Sequence, residues 1–214
     1  MFKVSFAGDP NIGLYGFATD KYYLAGFQRG APKTFETLKV PVVSAMVMNT
    51  YFAGMFAAGN SRGIIISNFS AAYGFTKIKH SHVLELETNQ TALGNLIIAN
   101  DIGAIISPLL RKSKDTIEEF LGVKTEIGTV AGLKICGSAA IATNKGCLAH
   151  PKIKESEKAV IEKVLEVPVM IGTVNYGSPY VKSGIIANSF SFAVSEQSTG
   201  PEMGNIVEAL GFLE

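Results

Sequence analysis

The stretch LEVPVMIGTV, residues 165–174, decides the fold, because residues 121–130 read LGVKTEIGTV and match it at six of ten positions. The shared positions are Leu121/Leu165, Val123/Val167, Ile127/Ile171, Gly128/Gly172, Thr129/Thr173 and Val130/Val174. Downstream, ATNKGCLA (142–149) falls opposite ANSFSFAV (187–194), and related signatures recur as AGNSRGIII (58–66), ANDIGAIIS (99–107) and ATDKYYLA (18–25). Five anchors result: Asp20, Asn60, Asn100, Asn144 and Asn188. They are spaced 40, 40, 44 and 44 residues apart, and wrapping from Asn188 through the C-terminus back to Asp20 adds 46. The repeats therefore use up the whole chain.

Each anchor reads as a turn between two strands. Asn and Asp bond their own backbone and tolerate left-handed conformations, and a nearby Gly supplies positive φ. GIIIS (63–67), GAIIS (103–107) and GCLAH (146–150) are short and mostly apolar, the pattern of interior strands. Helices are predicted over 115–122, with Asp115 and Glu118 at capping-box spacing and Gly122 as the stop, over 154–167, and over 199–212, with Thr199 or Gly200 as cap. Any helices near 34–38 and 70–75 are short. A period of about 43 residues also suits an all-β propeller blade, but such blades have no need of the amphipathic helix at 154–166. A unit of this size cannot bury its apolar face alone, and no unit has the polar outer face of a terminal cap, so the units close into a ring. The expectation is one α/β domain over 1–214 with fivefold pseudosymmetry.

Composition narrows the function. Lys plus Arg number 19 against 18 Asp plus Glu, so no basic field exists to hold a phosphate backbone by counterion release. The opening MFKVSFAGDPNIG lacks a charged segment followed by an apolar run, and no apolar stretch approaches the length needed to span a bilayer. A cytoplasmic protein away from membranes is expected. Two cysteines, Cys136 and Cys147, cannot make a disulfide scaffold and form no Cys-x-x-Cys.

TALGN with AND (91–101), AGNSRGIII, ATNKGCLAHP (142–151) and VPVMIGTVNYGS (167–178) together resemble the translation initiation factor 6 family in its archaeal form, collinearly over essentially the whole chain. The resemblance implies a pentein fold, the fivefold α/β propeller. It also implies a ribosome anti-association factor, which sits on the large (50S) subunit and sterically keeps the small (30S) subunit from joining, with a further part in large-subunit maturation. The implied partners are the large-subunit ribosomal protein uL14 near the sarcin-ricin loop, and a releasing GTPase with its helper protein. A monomer without cofactor is expected. The chain ends at Glu214 without the C-terminal tail of eukaryotic members, so regulation through that tail is not expected.

Within that frame Asn95, in LGN, matches a position the family uses at the ribosome. The same offset from the other anchors gives Tyr15, Met55, Ala139 and Ser183, and the sector Tyr15, Met55, Gly94 and Asn95 is the expected docking rim. Arg111, Lys112 and Lys114 read as a solvated face with at most a minor rRNA contact. The competing class is an enzyme, since pentein relatives include amidine hydrolases and amidinotransferases with a nucleophilic Cys. Cys147 and His150 are three apart on a strand, however, and so point to opposite faces. No Cys lies near the C-terminus, where those enzymes carry theirs. His80 and His82 share a strand face with no third metal ligand at a recognisable spacing. No catalytic or metal residues are expected.

Overall fold

A computed structural model describes residues 2–26, 33–70 and 82–213, with side chains over 33–35 outside the description. Strand β1 (Phe2–Val4) opens the chain and five three-stranded sheets follow around a ring. The first sheet holds β2 (Gly16–Ala18), β3 (Tyr23–Ala25) and β4 (Val42–Ser44), the second β5 (Ala58–Asn60), β6 (Gly63–Ser67) and β7 (His82–Leu86). The third holds β8 (Ile97–Ala99), β9 (Gly103–Ile106) and β10 (Lys124–Ile127), and the fourth β11 (Ala140–Ala142), β12 (Cys147–Ala149) and β13 (Val169–Ile171). The fifth pairs β14 (Ile185–Ala187) and β15 (Phe192–Ser195) with β1, so the two ends of the chain share one sheet. That pairing closes the ring and explains why the repeat count wraps through the termini.

Every unit has the same wiring. An inner strand turns through a hairpin into an antiparallel middle strand, and a crossover returns to a parallel outer strand. The apolar runs read as interior strands are the middle strands, buried along their length in β6, β9 and β12. The short segments α1 (Ala53–Phe56) and α3 (Cys136–Ala139) precede inner strands. The helices α2 (Lys114–Leu121), α4 (Glu155–Leu165) and α5 (Gly200–Ala209) follow middle strands. In the first unit this crossover is a 3-10 segment over Lys33–Leu38, whereas residues 71–81, including the segment near 70–75 and His80, lie outside the described residues. Among the described residues no helix is long and apolar enough to cross a membrane.

No unit has a core of its own. Five apolar clusters form, each drawing on two neighbouring units: Leu24 with Ile64, Ile65 with Ile106, Ile105 with Cys147, Leu148 with Ile185, and Ala193 with Ile12. Burial of apolar surface therefore favours the ring over any single unit.

A polar latch fixes the register between units. Buried Asn60 donates through Nδ2 to Asn100 O (3.3 Å) and Leu121 O (3.1 Å), and Asn100 in turn to Thr143 O (3.2 Å) and Leu165 O (2.9 Å). Asn188 does the same to Thr19 O (3.1 Å) and Leu38 O (2.8 Å). Each amide thus satisfies a hairpin carbonyl and the orphan carbonyl ending the next unit's crossover segment. Its own Oδ1 accepts from the hairpin backbone, as Asn100 does from Ile102 N and Gly103 N. The equivalent residues are therefore Thr19, Asn60, Asn100, Thr143 and Asn188. Asp20 and Asn144, chosen from sequence, each lie one residue beyond. In the first unit Tyr22 Oη supplies the donor that Thr19 lacks, reaching Asn60 O at 2.9 Å and Gly63 O at 3.0 Å.

The 121–130 and 165–174 repeat now has a physical account. Leu121 and Leu165 present the carbonyls that the preceding Asn takes, and Gly128 and Gly172 leave room for Ile105 and Leu148 of the middle strand. Thr129 Oγ1 donates to Glu157 (2.6 Å) and Thr173 Oγ1 to Glu202 (2.8 Å). Each carboxylate also caps its own helix, Glu157 accepting from Lys154 N at 3.0 Å and Glu202 from Thr199 N at 2.7 Å. In these two units one acid thus ties the start of a helix to the turn that follows the previous unit's outer strand. The capping box expected at Asp115 and Glu118 does not form. Glu118 instead accepts from Thr125 N at 2.9 Å and pairs with Lys114, while Gly122 (φ 62°) ends the helix as expected.

Replacing Asn100 by Ala strands two buried carbonyls and should lower unfolding free energy by about 2–4 kcal/mol. Chemical denaturation measures this, and a change under about 0.5 kcal/mol, the range of an ordinary surface substitution, would show that the latch is passive. Burial opposes ionisation of Glu202, but bonds from Thr199 N, Gly177 N and the Thr173 and Thr199 hydroxyls outweigh it and hold its carboxyl below the usual range. A depressed acid stabilises above its unfolded pKa, about 4.3 for Glu, and that contribution disappears as pH falls through the folded value. Glu202→Gln should therefore melt lower than wild type at pH 7 and show a shallower fall in Tm on acidification from pH 5.

Candidate functional site

The wiring sorts the loops onto two faces. Because Ile97 pairs with Ile106 and Ile106 with Ile127, the loop entering each inner strand shares one end of the sheet with the loops leaving the middle and outer strands. The hairpins occupy the other end. On the first face five short turns meet around the axis: Ile12–Leu14, α1, Leu93–Asn95, α3 and Val181–Gly184. A Cβ on Gly13 would collide with Lys182 O, on Gly54 with Gly13 O, on Gly94 with Gly54 O, and on Gly137 with Gly94 O. Glycine is required there because backbone packs against backbone. The fifth equivalent is Lys182.

Lys182 fills the space that four glycines leave. Lys182 lines a cavity of about 50 Å³ along the axis together with inner-strand residues such as Ala18, Ala99, Ala142 and Ala187. From the fifth unit it reaches across to donate to Gly94 O of the third at 2.6 Å. Burial disfavours the charged amine and pushes its pKa down to about 8, with the Cys136 thiol opposing that shift only weakly. At the hairpin end, Asn144 Nδ2 bridges Asp20 Oδ2 (2.8 Å) and Asp101 Oδ2 (2.9 Å), while Ser189 N donates to Asp20 Oδ1 and Ser61 N to Asp101 Oδ1. Side chains thus bridge units at both ends of the axis.

The glycine ring sets the true rim positions one residue on: Leu14, Met55, Asn95, Ser138 and Ser183. Met55, Asn95 and Ser183 are placed as the sequence offset gives them, half-buried beside the ring. Tyr15 and Ala139 are displaced by one, the same slip as at Asp20 and Asn144. Tyr15 packs between Phe6 and Phe52, with ring centroids 4.9 and 5.2 Å away, and donates to Asp9 Oδ2 at 2.9 Å. Ala139 is fully buried. The repeated triplets around Gly13, Gly54, Gly94 and Gly137 carried this register in the sequence, whereas counting from Asp20 and Asn144 shifted it by one residue.

The glycine face also carries half of the twelve exposed large apolar side chains among the described residues. Among the described residues Tyr51, Phe69, Leu109, Ile135, Tyr176 and Tyr180 are exposed there, against Ile102 and Phe190 at the hairpins. Four aromatics stand on one face and one on the other. Arg111 and Lys112 edge an open groove with Asn68, Phe69, Asn89 and Gln90 on the same face.

Among the described residues the thiols and imidazoles sit in structural settings or at the surface. Cys136 donates to Leu96 O (3.2 Å), Cys147 is enclosed in a core, and burial pushes both thiols up to about 12. His150 accepts through Nδ1 from Lys152 N at 3.0 Å, and burial lowers its pKa. His82 begins β7 in an exposed position. Among the described residues no three His, Cys, Asp or Glu side chains are placed to hold a metal ion.

Comparison with known proteins agrees with the architecture. The eIF-6 family model matches residues 1–209. The chain belongs to the eIF-6 family. Relatives named Translation initiation factor 6 include one from Pyrococcus horikoshii, 39% identical over 99% of this chain and 98% of its own length. Others come from Haloquadratum walsbyi, 38% identical over 100% and 98%, and Pyrococcus furiosus, 40% identical over 99% and 98%. Family membership accounts for the collinear repeats, and the pentein ring is this family's fold.

If Lys182 is held as described, the NMR shift of its side-chain carbon Cε should titrate near pH 8, well below the ordinary lysine value of about 10.4. Burial disfavours the charged form relative to the unfolded chain, so stability should rise with pH between those values, and Lys182→Met should abolish both effects. Titration near the ordinary value would mean that the ammonium is solvated.

Proposed function

We propose that this chain is an anti-association factor that docks its glycine face on the large (50S) ribosomal subunit and so keeps the small (30S) subunit from joining. The observation that carries this reading is the concentration of exposed aromatics on that face, beside a close-packed backbone ring. Aromatic side chains held in fixed positions are what protein recognition surfaces use. Family membership and the relatives' name, Translation initiation factor 6, support the setting. Met55, Gly94 and Asn95 form the centre of the proposed footprint, with Leu14 taking the place of Tyr15. The partner there is uL14 near the sarcin-ricin loop, with Arg111 and Lys112 available for a minor rRNA contact.

On this reading the protein does no chemistry. The two thiols, with pKa values near 12, would present almost no thiolate at neutral pH. Inhibition is by occupancy, and a cytoplasmic monomer suffices. Release is assigned to an outside agent, a GTPase and its helper.

Sedimentation of the purified protein with separated subunits tests this. Wild type should co-migrate with the large subunit and reduce joined particles, whereas Asn95→Arg should lose binding with Tm unchanged. Retained binding by Asn95→Arg would remove the Met55–Asn95 sector, and an absence of wild-type co-migration would remove the reading.

A further inference from the structure

Four tight turns of the glycine face repeat one geometry. A one-pair bridge closes Phe6 on Asp9, Val47 on Thr50, Val130 on Leu133 and Val174 on Ser178, with left-handed residues between. The left-handed residues are Ala7 and Gly8, Met48 and Asn49, and Ala131 and Gly132 in the first three. The fourth is one residue longer and runs Asn175 (φ 51°), Tyr176 (φ 59°), Gly177 (φ 97°). The extra length presents a tyrosine. Tyr176 is 78% exposed, more than any other large apolar side chain among the described residues.

The turn does not need that ring. Unit four builds the same scaffold on Ala131 and Gly132, whose amides donate to Glu157 at 2.8 Å, as Gly177 N donates to Glu202 at 2.8 Å. A left-handed conformation is unfavourable for a bulky residue and persists only where surrounding bonds over-determine it. Here Glu202, Ser198 and the carbonyl of Pro10 do so, the last two by accepting from Asn175 N (3.2 Å) and Asn175 Nδ2 (3.3 Å). An aromatic held in advance loses little freedom when it is buried by a partner.

We infer that Tyr176 is a second anchor of the docking face, in the fifth unit and across the axis from Asn95, and that it seats in an apolar pocket of a large-subunit protein. The inference rests on the large-subunit reading above and widens its footprint from one sector to both sides of the ring. That Lys182 of the fifth unit crosses the axis to reach Gly94 sets the two anchors on opposite sides. Residues 172–181, GTVNYGSPYV, carry no charged side chain, and exposed Tyr180 extends the apolar strip. A phosphate backbone would find no cation there, so the fitting partner is protein rather than RNA.

The test is a binding titration of the full chain against purified large subunits, with Tm measured on every variant. Tyr176→Ala should weaken binding by about 30-fold, the scale of an interface hot spot. Its Tm should match wild type, since Ala131 already occupies the equivalent turn. Tyr176→Phe should bind nearly as wild type, and the loss in Tyr176→Ala should be the same at 50 and 200 mM salt. Wild-type affinity in Tyr176→Ala would overturn the inference while leaving the large-subunit reading intact. A loss that shrinks as salt rises would assign the contact to nucleic acid and overturn it too. Failure of wild type to bind would remove the reading and the inference together.

Discussion

The structure depends on one constraint: a buried side-chain amide of each Asn unit satisfies two backbone carbonyls of the next. Asn60, Asn100 and Asn188 each reach a hairpin carbonyl and the last carbonyl of a crossover segment. Water cannot reach those carbonyls, so without the amide each would stand unpaired at considerable cost. Apolar packing between units is tolerant of small slips, whereas a bidentate amide is not. The latch therefore sets the angular register, and the β1 to β15 pairing closes what it sets.

From that register the two faces follow. Inner strands fixed side by side bring five short turns together so tightly that four of them need glycine, and the remaining space admits one lysine stem. Loops on this face are short, and Glu157 and Glu202 tie the two turns at 129–132 and 173–177, the second of which presents Tyr176. On the proposed reading such pre-organisation favours docking, since every degree of freedom frozen on binding weakens occupancy.

Much of this was legible in the residues. The 44-residue repeat, the middle strands at 63–67 and 103–107, and the helices after 114, 154 and 199 follow from patterning and punctuation that burial enforces locally. The register slip at Asp20 and Asn144 has a local cause. Threonine's hydroxyl accepts from the hairpin backbone as asparagine's carbonyl does, with Thr19 bonding Lys21 N and Tyr22 N, but it lacks the amide that reaches the next unit. The eye then takes the adjacent Asp or Asn. The long-range half of the Glu157 and Glu202 bonding was invisible for another reason: those partners lie 25 to 29 residues away, beyond any local rule. Asp115 and Glu118 had the spacing of a capping box, but Glu118 found a better donor in Thr125 N. The positions beside the glycine ring were legible at Met55, Asn95 and Ser183, where the anchor is the latch asparagine itself, and missed by one residue at Tyr15 and Ala139, where the anchor had slipped to Asp20 and Asn144.

The account makes the ring an obstacle whose orientation matters, and a reconstruction of the protein bound to the large subunit measures that orientation directly. The prediction is a map in which Met55, Asn95 and Tyr176 are covered by the subunit while the hairpins bearing Asp20, Asp101 and Asn144 face the space where the small subunit would sit. A map with those hairpins buried against the large subunit and the glycine face open would contradict it.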